Sequence, residues 1–152
     1  MRTCIRHSED GSALIEFALC LPPLMLLMTG IFAFGIAISN YVMLTNATSS
    51  AAMDLAISRG NTTDPCALAS NAIIAAAPTL KSSSFTYAYS LNGTAYSGTT
   101  CSSSSSTTGA AGNLVQGQSA TITVTYPCNL AVFRANNFPS CVLTAKASEL
   151  VQ

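Results

Sequence analysis

The amino-acid sequence predicts an α+β protein whose long N-terminal transmembrane helix continues into a small extracytoplasmic head. Three observations support this class: an uncharged apolar run near the N-terminus, a change to two-residue apolar alternation beyond Pro78, and four cysteines that all follow the run. We expect the head to hold a second helix and a three- to four-stranded antiparallel sheet. The predicted divisions are a leader at 1–11, the transmembrane and extended helix at 12–60, and a disulfide-stapled head at 61–152.

The apolar run extends from Phe17 to Ile38 and contains no charged residue. As a helix its 22 residues span about 33 Å, which matches the hydrocarbon thickness of a bilayer. Pro22 and Pro23 lie within it and predict a kink, which membrane helices tolerate. Basic residues precede the run and favour a cytoplasmic N-terminus, so we expect a single-pass protein whose C-terminal body lies outside the cytoplasm.

A cleaved secretory signal is an alternative interpretation of this run. Ala37-Ile38-Ser39 offers a small-x-small site of the kind that signal peptidases cut. The apolar region of such signals is usually about 7–15 residues long, however. The length of the run therefore favours a retained membrane span.

Composition argues against several function classes. Charged residues make up 8% of the chain, against about 25% in soluble proteins, and the mean hydropathy is +0.43. Six basic residues balance six acidic ones, so no basic field is present to attract nucleic acid. The cysteines show no zinc-type spacing with histidine, and we predict no metal site and no cofactor.

The inventory of catalytic side chains is also poor. No histidine follows Gly11, and the four carboxylates after it are widely separated in sequence. These carboxylates are Glu16, Asp54, Asp64 and Glu149. The chain thus offers few residues that could form a carboxylate pair or a Ser/His catalytic site, and we expect that the protein is not an enzyme.

Glu16 is an acidic residue at the edge of the apolar run. At the centre of a membrane helix a carboxylate costs about 2.5–3.5 kcal/mol on insertion scales. Glu16 either marks the water boundary or has a cationic partner. Cleavage after Gly11 would give Ser12 a new α-amino group, and Glu16 lies four residues later on the same helical face.

The stretch Gly11-Ser12-Ala13-Leu14-Ile15-Glu16-Phe17 resembles the cleavage motif of type IV prepilins. With Leu21-Pro22-Pro23-Leu24 and Tyr41-Val42-Met43-Leu44-Thr45-Asn46-Ala47, it is similar to the TadE-like pseudopilins of tight-adherence (Flp) pilus systems. The resemblance covers about 11–60, and more loosely the residues near Ile122-Thr123-Val124-Thr125-Tyr126-Pro127.

This resemblance implies a prepilin-type leader that a membrane-embedded prepilin peptidase removes between Gly11 and Ser12. Glu16 would then be the family's glutamate at the fifth position of the mature chain, followed by Phe17 in the same processing and assembly motif. The implied partners are the membrane, the prepilin peptidase, other pseudopilins or the major pilin, and the pilus assembly machinery. The implied function is that of a minor pseudopilin in pilus assembly, and the implied location is the inner membrane with a periplasmic or extracellular head, or the pilus itself.

Helical spacing continues beyond Ile38 and predicts one helix of about 45–48 residues that ends near Arg59, with Gly60 as its cap. Its small residues favour close packing on the chain's own head over an intermolecular contact. A second helix is predicted from Asp64-Pro65 to the residue before Pro78. Its expected buried face consists of Leu68, Ala69, Ala72, Ile73 and Ala76.

Three strands are predicted from alternation around Tyr87, Val124 and Ala145. The aromatic stripe of Phe85, Tyr87 and Tyr89 is interpreted as core. Between the first two strands, the serine-rich segment 97–117 is expected to be a mobile surface loop because it has little apolar surface to offset its ordering entropy.

The four distal cysteines suggest disulfide bonds in an oxidising compartment. Of the three pairings open to them, we favour Cys66 with Cys101 and Cys128 with Cys141. The second pair would link neighbouring strands and stabilise the fold by about 3 kcal/mol.

The alternative hypothesis is an uncleaved single-pass envelope protein whose head is a protein-binding module without a pilus role. Removal of the leader distinguishes the two hypotheses.

Overall fold

The computed structural model describes residues 10–128, 131–132, 135–136 and 141–152. Its helices are α1 (Asp10–Ile57), α2 (Pro65–Ala76) and the short α3 (Gly109–Gly112). Its strands are β1 (Thr86–Leu91), β2 (Thr94–Ser97), β3 (Ser119–Pro127), β4 (Ala131–Val132), β5 (Ala135–Asn136) and β6 (Val142–Leu150). The α+β class with a long apolar N-terminal helix is confirmed.

Helix α1 is a single element of 48 residues and stays helical through Pro22 and Pro23. It ends at Ile57, two residues before the predicted end. The Ser58 N–H donates to the Leu55 carbonyl, and a turn follows in which Gly60 has a φ of 77°. A residue with a side chain rarely adopts this left-handed conformation, which explains a glycine directly after the helix.

The main sheet has four antiparallel strands in the order β2-β1-β3-β6. The sequence analysis identified β1, β3 and β6 but not β2. Strands β1 and β2 form a hairpin in which Leu91 pairs with Thr94, with Asn92 and Gly93 in the turn. Both turn residues have positive φ, 48° and 78°, which is the conformation that Asn-Gly supplies in tight hairpins.

The core lies between one face of this sheet and the C-terminal part of α1, with α2 packed beside α1. Along β3, Ala120, Ile122 and Val124 are buried and alternate with threonines that are half-buried. From β1 the core receives Tyr87, Tyr89 and Leu91, so the aromatic stripe is core as predicted. Helix α1 contributes Leu44, Ala47, Ala51, Ala52 and Leu55.

The buried face of α2 differs from the predicted one. The helix buries Cys66, Ala69, Ser70 and Ile73, whereas Ala76 is exposed. Leu68 and Ala72 are half-buried. Two contacts turn the helix this way: Cys66 is bonded to Cys101, and the Ser70 hydroxyl lies 3.1 Å from the Thr99 carbonyl, to which it donates.

The serine-rich segment packs against the head through buried residues and hydrogen bonds, whereas its composition predicts a mobile surface loop. Ala110, Ala111 and Leu114 are buried, and the Ser103 N–H donates to the Thr63 carbonyl at 2.8 Å. The Ser103 hydroxyl accepts from the Ala111 N–H at 3.1 Å. These contacts hold the loop against the start of α2.

Asp64 joins this loop to α2. Its carboxylate accepts from the Ala67 N–H at 2.9 Å, which caps the helix, and from the Cys101 N–H at 2.9 Å. The Ser102 hydroxyl donates to the second carboxylate oxygen at 2.8 Å. Partial burial raises the pKa of Asp64, but the hydrogen bonds outweigh it and hold the pKa below the ordinary value of 3.8.

We expect opposite effects from removing the two core tyrosine hydroxyls. The Tyr87 hydroxyl is buried and has no hydrogen-bond partner within the described residues, so Tyr87→Phe should leave the free energy of unfolding unchanged or raise it by up to ~1 kcal/mol. The Tyr89 hydroxyl donates to the Cys66 carbonyl at 3.3 Å. Tyr89→Phe should therefore lower that free energy by ~1 kcal/mol. Near-UV circular dichroism during urea unfolding in detergent measures both, and a larger loss for Tyr87→Phe would contradict the assignment.

Asp64→Ala should lower the free energy of unfolding at neutral pH by about 1–2 kcal/mol, because the helix cap and the tie to the loop are both lost. Asp64→Asn should lose less, since an amide oxygen still caps the helix. The carboxyl's pKa is lowered in the fold, so its contribution is present above about pH 4 and is lost as the pH falls through the folded-state pKa. Urea unfolding at several pH values should show the difference between wild type and Asp64→Asn shrinking in acid; a constant difference would refute the role of the charge.

Candidate functional site

The residues of the N-terminal motif all lie on the first two turns of α1. Gly11, Ser12, Glu16 and Phe17 are exposed and contact none of the described residues of the head. Ser12 and Glu16 are four residues apart in a continuous helix, so they share one face, with Glu16 one turn further along. A Cβ atom added at Gly11 would meet no atom within 4 Å. The fold itself therefore does not require a glycine at this position.

Beyond the motif, α1 carries an apolar surface that nothing in the described structure covers. The most hydrophobic part of the helix has a mean hydropathy of 2.1 and none of its residues is buried. Leu19, Ile31 and Phe32 each expose about 70% of their surface or more. By length and composition this helix fits a single-pass membrane protein.

The head begins shortly after this surface ends. Leu44, six residues beyond Ile38, is the first fully buried residue of α1. From there Ala47, Ala51 and Ala52 allow the helix to lie close to the sheet, while Ser49 and Ser50 are exposed. This part of α1 packs on the chain's own head, as the sequence analysis favoured.

The structure joins Cys66 to Cys101 and Cys128 to Cys141, the two pairs favoured from the sequence. Their Cα atoms are 5.4 and 5.2 Å apart, within the usual range for a disulfide. Cys20 is a free cysteine exposed on α1, and Cys4 lies outside the described residues.

One group of metal-type ligands was not anticipated from the sequence. Potential ligand atoms of Asp64, Cys66 and Cys101 lie within 4.8 Å of one another. Cysteine binds a metal as a thiolate, and both of these sulfurs are joined in a disulfide, so the group does not form a metal site. It links the start of α2 to the serine-rich loop instead. The Asp64-Pro65 dipeptide signals a helix start in the sequence, but no local pattern reveals that the carboxylate also holds residues 101 and 102.

The carboxylates considered as catalytic candidates are placed on different elements. Glu16 and Asp54 lie on α1, Asp64 lies at the start of α2, and Glu149 lies on β6. Asp54 is exposed and Glu149 is half-buried. The predicted site that the structure leaves accessible is thus the linear motif at the start of α1.

Comparison with known proteins gives a match for this same part of the chain. Residues 11–53 match the family model described as TadE-like protein. No curated protein and no solved structure matches the chain. The match begins at Gly11 and ends within the part of α1 that packs on the head. The N-terminal helix is thus similar to the TadE-like family over residues 11–53, which confirms the resemblance drawn from the Gly11–Phe17 motif.

Proposed function

We propose that this chain is a minor pseudopilin of the TadE-like type, which a prepilin peptidase processes and which takes part in assembly of a tight-adherence (Flp) pilus. One observation carries the proposal: in the helix that matches the family, none of residues 11–43 is buried against the described part of the head, and Gly11, Ser12 and Glu16 are accessible. The family match supports a role in this type of pilus system. Cleavage, partners and incorporation are the parts that we propose.

The environment of Gly11 suits a cleavage site. It lies within α1, and glycine in a helix is about 1 kcal/mol less favourable than alanine. This lowers the cost of opening the helix so that a peptidase can reach the bond to Ser12. No contact with the head has to be broken for this.

Cleavage would change the charges at the end of the helix. The new α-ammonium group of Ser12 and the Glu16 carboxylate would face the same side, within one chain or between neighbours. A pair of opposite charges lowers the cost of placing Glu16 in an apolar environment. In a bundle of parallel helices such a pair also fixes how far one helix is displaced along another.

The remaining partners follow from the exposed apolar surface. In the membrane, lipid covers the part of α1 between Phe17 and Ile38. In an assembly, the helices of other pseudopilins or of the major pilin would cover it instead. We place the N-terminus in the cytoplasm and the head on the periplasmic or extracellular side, where the two disulfides are stable.

The second candidate is an uncleaved envelope protein whose head binds a partner. The fastened serine-rich loop and the disulfides give this head a defined surface. The family match covers the helix and not the head, so it favours a function that uses the helix.

Gly11→Leu should abolish removal of the leader, because a bulky side chain replaces the glycine that the peptidase recognises. The fold leaves open space around this position, so the head should fold as in the wild type. Intact-mass analysis in a host with an active prepilin peptidase should show residues 1–11 retained in the variant and absent in the wild type. Gly35→Leu, where an added Cβ also meets no atom within 4 Å, is the matched control and should be cleaved normally. Retention of residues 1–11 in the wild type would refute the processing.

Glu16→Gln should leave cleavage intact but lower pilus assembly by more than about tenfold, because an unpaired ammonium group in an apolar interior costs ~3 kcal/mol. The amount of pilin in sheared pilus fractions measures this. Asp54→Asn removes an exposed carboxylate from the head part of the same helix and should have little effect. If both substitutions lower assembly equally, the pairing of Ser12 and Glu16 is wrong.

A further inference from the structure

A cleft opens at the base of the head, where α2 ends beside α1. Its volume is about 440 Å³, and its lining is uncharged. Ser39, Val42, Met43 and Asn46 line it from α1, and Ala76 lines it from the last turn of α2. The cleft is an open groove between the two helices, so it can hold only part of a larger ligand.

The position of the cleft along α1 places it at the membrane surface. Its lining begins at Ser39, directly after the apolar run, and the rise to Asn46 is about 10 Å. The headgroup layer of one leaflet is roughly 5–8 Å thick. Because α1 continues without a break, no linker lifts the head away from this layer.

The loop after α2 lies at the same level. The Thr79 hydroxyl donates to the Met43 sulfur at 3.1 Å, which fixes the loop next to the cleft. Lys81 follows two residues later and is exposed. It is the only charged residue in the sequence between Asp64 and Cys128, so the one charge on this long stretch stands at the base of the head.

The other end of the head points away from the membrane. The Gln152 N–H donates to the Ala56 carbonyl at 3.0 Å, near the end of α1. Through the paired strands, Thr94, Leu91 and Ala120 lie at this distal end as well. Among the described residues, the side of the head that lies toward the apolar part of α1 thus includes the end of α2 and the loop to Lys81.

We propose that this cleft holds part of one phospholipid from the leaflet on the head side, with the lipid phosphate near Lys81. The apolar lining at Val42, Met43 and Ala76 suits an acyl chain or the glycerol region. The polar side chains of Ser39 and Asn46 suit its ester groups, and the lysine suits an anionic phosphate. The continuity of the cleft with the membrane span selects lipid over a soluble ligand. The proposal requires the membrane anchor but not cleavage at Gly11.

Tryptophan reporters test the placement of the head, because the chain contains no tryptophan. Ala75 is exposed on the last turn of α2, and Thr94 is exposed at the distal end. In nanodiscs of brominated phosphatidylglycerol, the Ala75→Trp reporter should lose most of its fluorescence and the Thr94→Trp reporter should keep it. Equal quenching of the two, or none at Ala75, would overturn the proposal.

Native mass spectrometry of the full-length protein extracted from phosphatidylglycerol membranes tests the cleft itself. The wild type should retain one phospholipid, and Ala76→Phe, which fills the cleft, should retain none. Ala95→Phe makes the same change at an exposed position of β2 and should retain the lipid. Retention in Ala76→Phe, or no lipid on the wild type, would contradict the proposal.

Lys81 is tested by a separate pair of variants. Lys81→Gln should weaken phosphatidylglycerol binding about fivefold, equivalent to ~1 kcal/mol, whereas Lys146→Gln on the outer face of the sheet should not. All of these results should be the same in the Gly11→Leu background. A failure here would therefore leave the cleavage proposal standing, and a failure of cleavage would leave this one standing.

Discussion

The close packing of α1 on the sheet is the contact on which the rest of the structure depends. The buried residues there are Leu44, Ala47, Ala51, Ala52 and Leu55, and they belong to the same helix in which none of residues 11–43 is buried. The change between these two environments takes place over a few residues around Met43. A helix with bulky residues on both sides of this point could not bring its backbone close to β6 and β3. The small residues thus determine where the membrane part ends and where the head begins.

Much of this architecture could be predicted from the sequence because the determining signals are local. The apolar run, the alternation in β3 and the Asp64-Pro65 helix start each depend on neighbouring residues. The Asn92-Gly93 hairpin was also readable, since this dipeptide supplies the two positive φ angles of a tight turn, but its flanking strand β2 is short and has weak alternation. The alternation in the sequence therefore predicts no strand at Thr94–Ser97.

Other features depend on residues far apart in the chain and could not be read from local patterns. The orientation of α2 follows from the bond between Cys66 and Cys101, which turns Cys66 inward and leaves Ala76 at the surface. The serine-rich loop is ordered by Asp64, because its carboxylate accepts hydrogen bonds from Cys101 and Ser102. These residues lie 37 and 38 positions further along the chain. The candidate functional site, in contrast, could be predicted from local sequence, because Gly11, Ser12 and Glu16 form a linear motif with a characteristic spacing. The structure adds that these residues are accessible.

The continuous course of α1 from Leu24 to Ile57, which contains no proline, also has a mechanical consequence. A helical segment of this length transmits axial displacement and rotation, because bending it requires hydrogen bonds between successive turns to lengthen. The buried contacts from Leu44 to Leu55 then couple that movement to the sheet, and the disulfides couple it to the loops. If this part of the helix is pulled or rotated within the bilayer, the head should move with it as one rigid body.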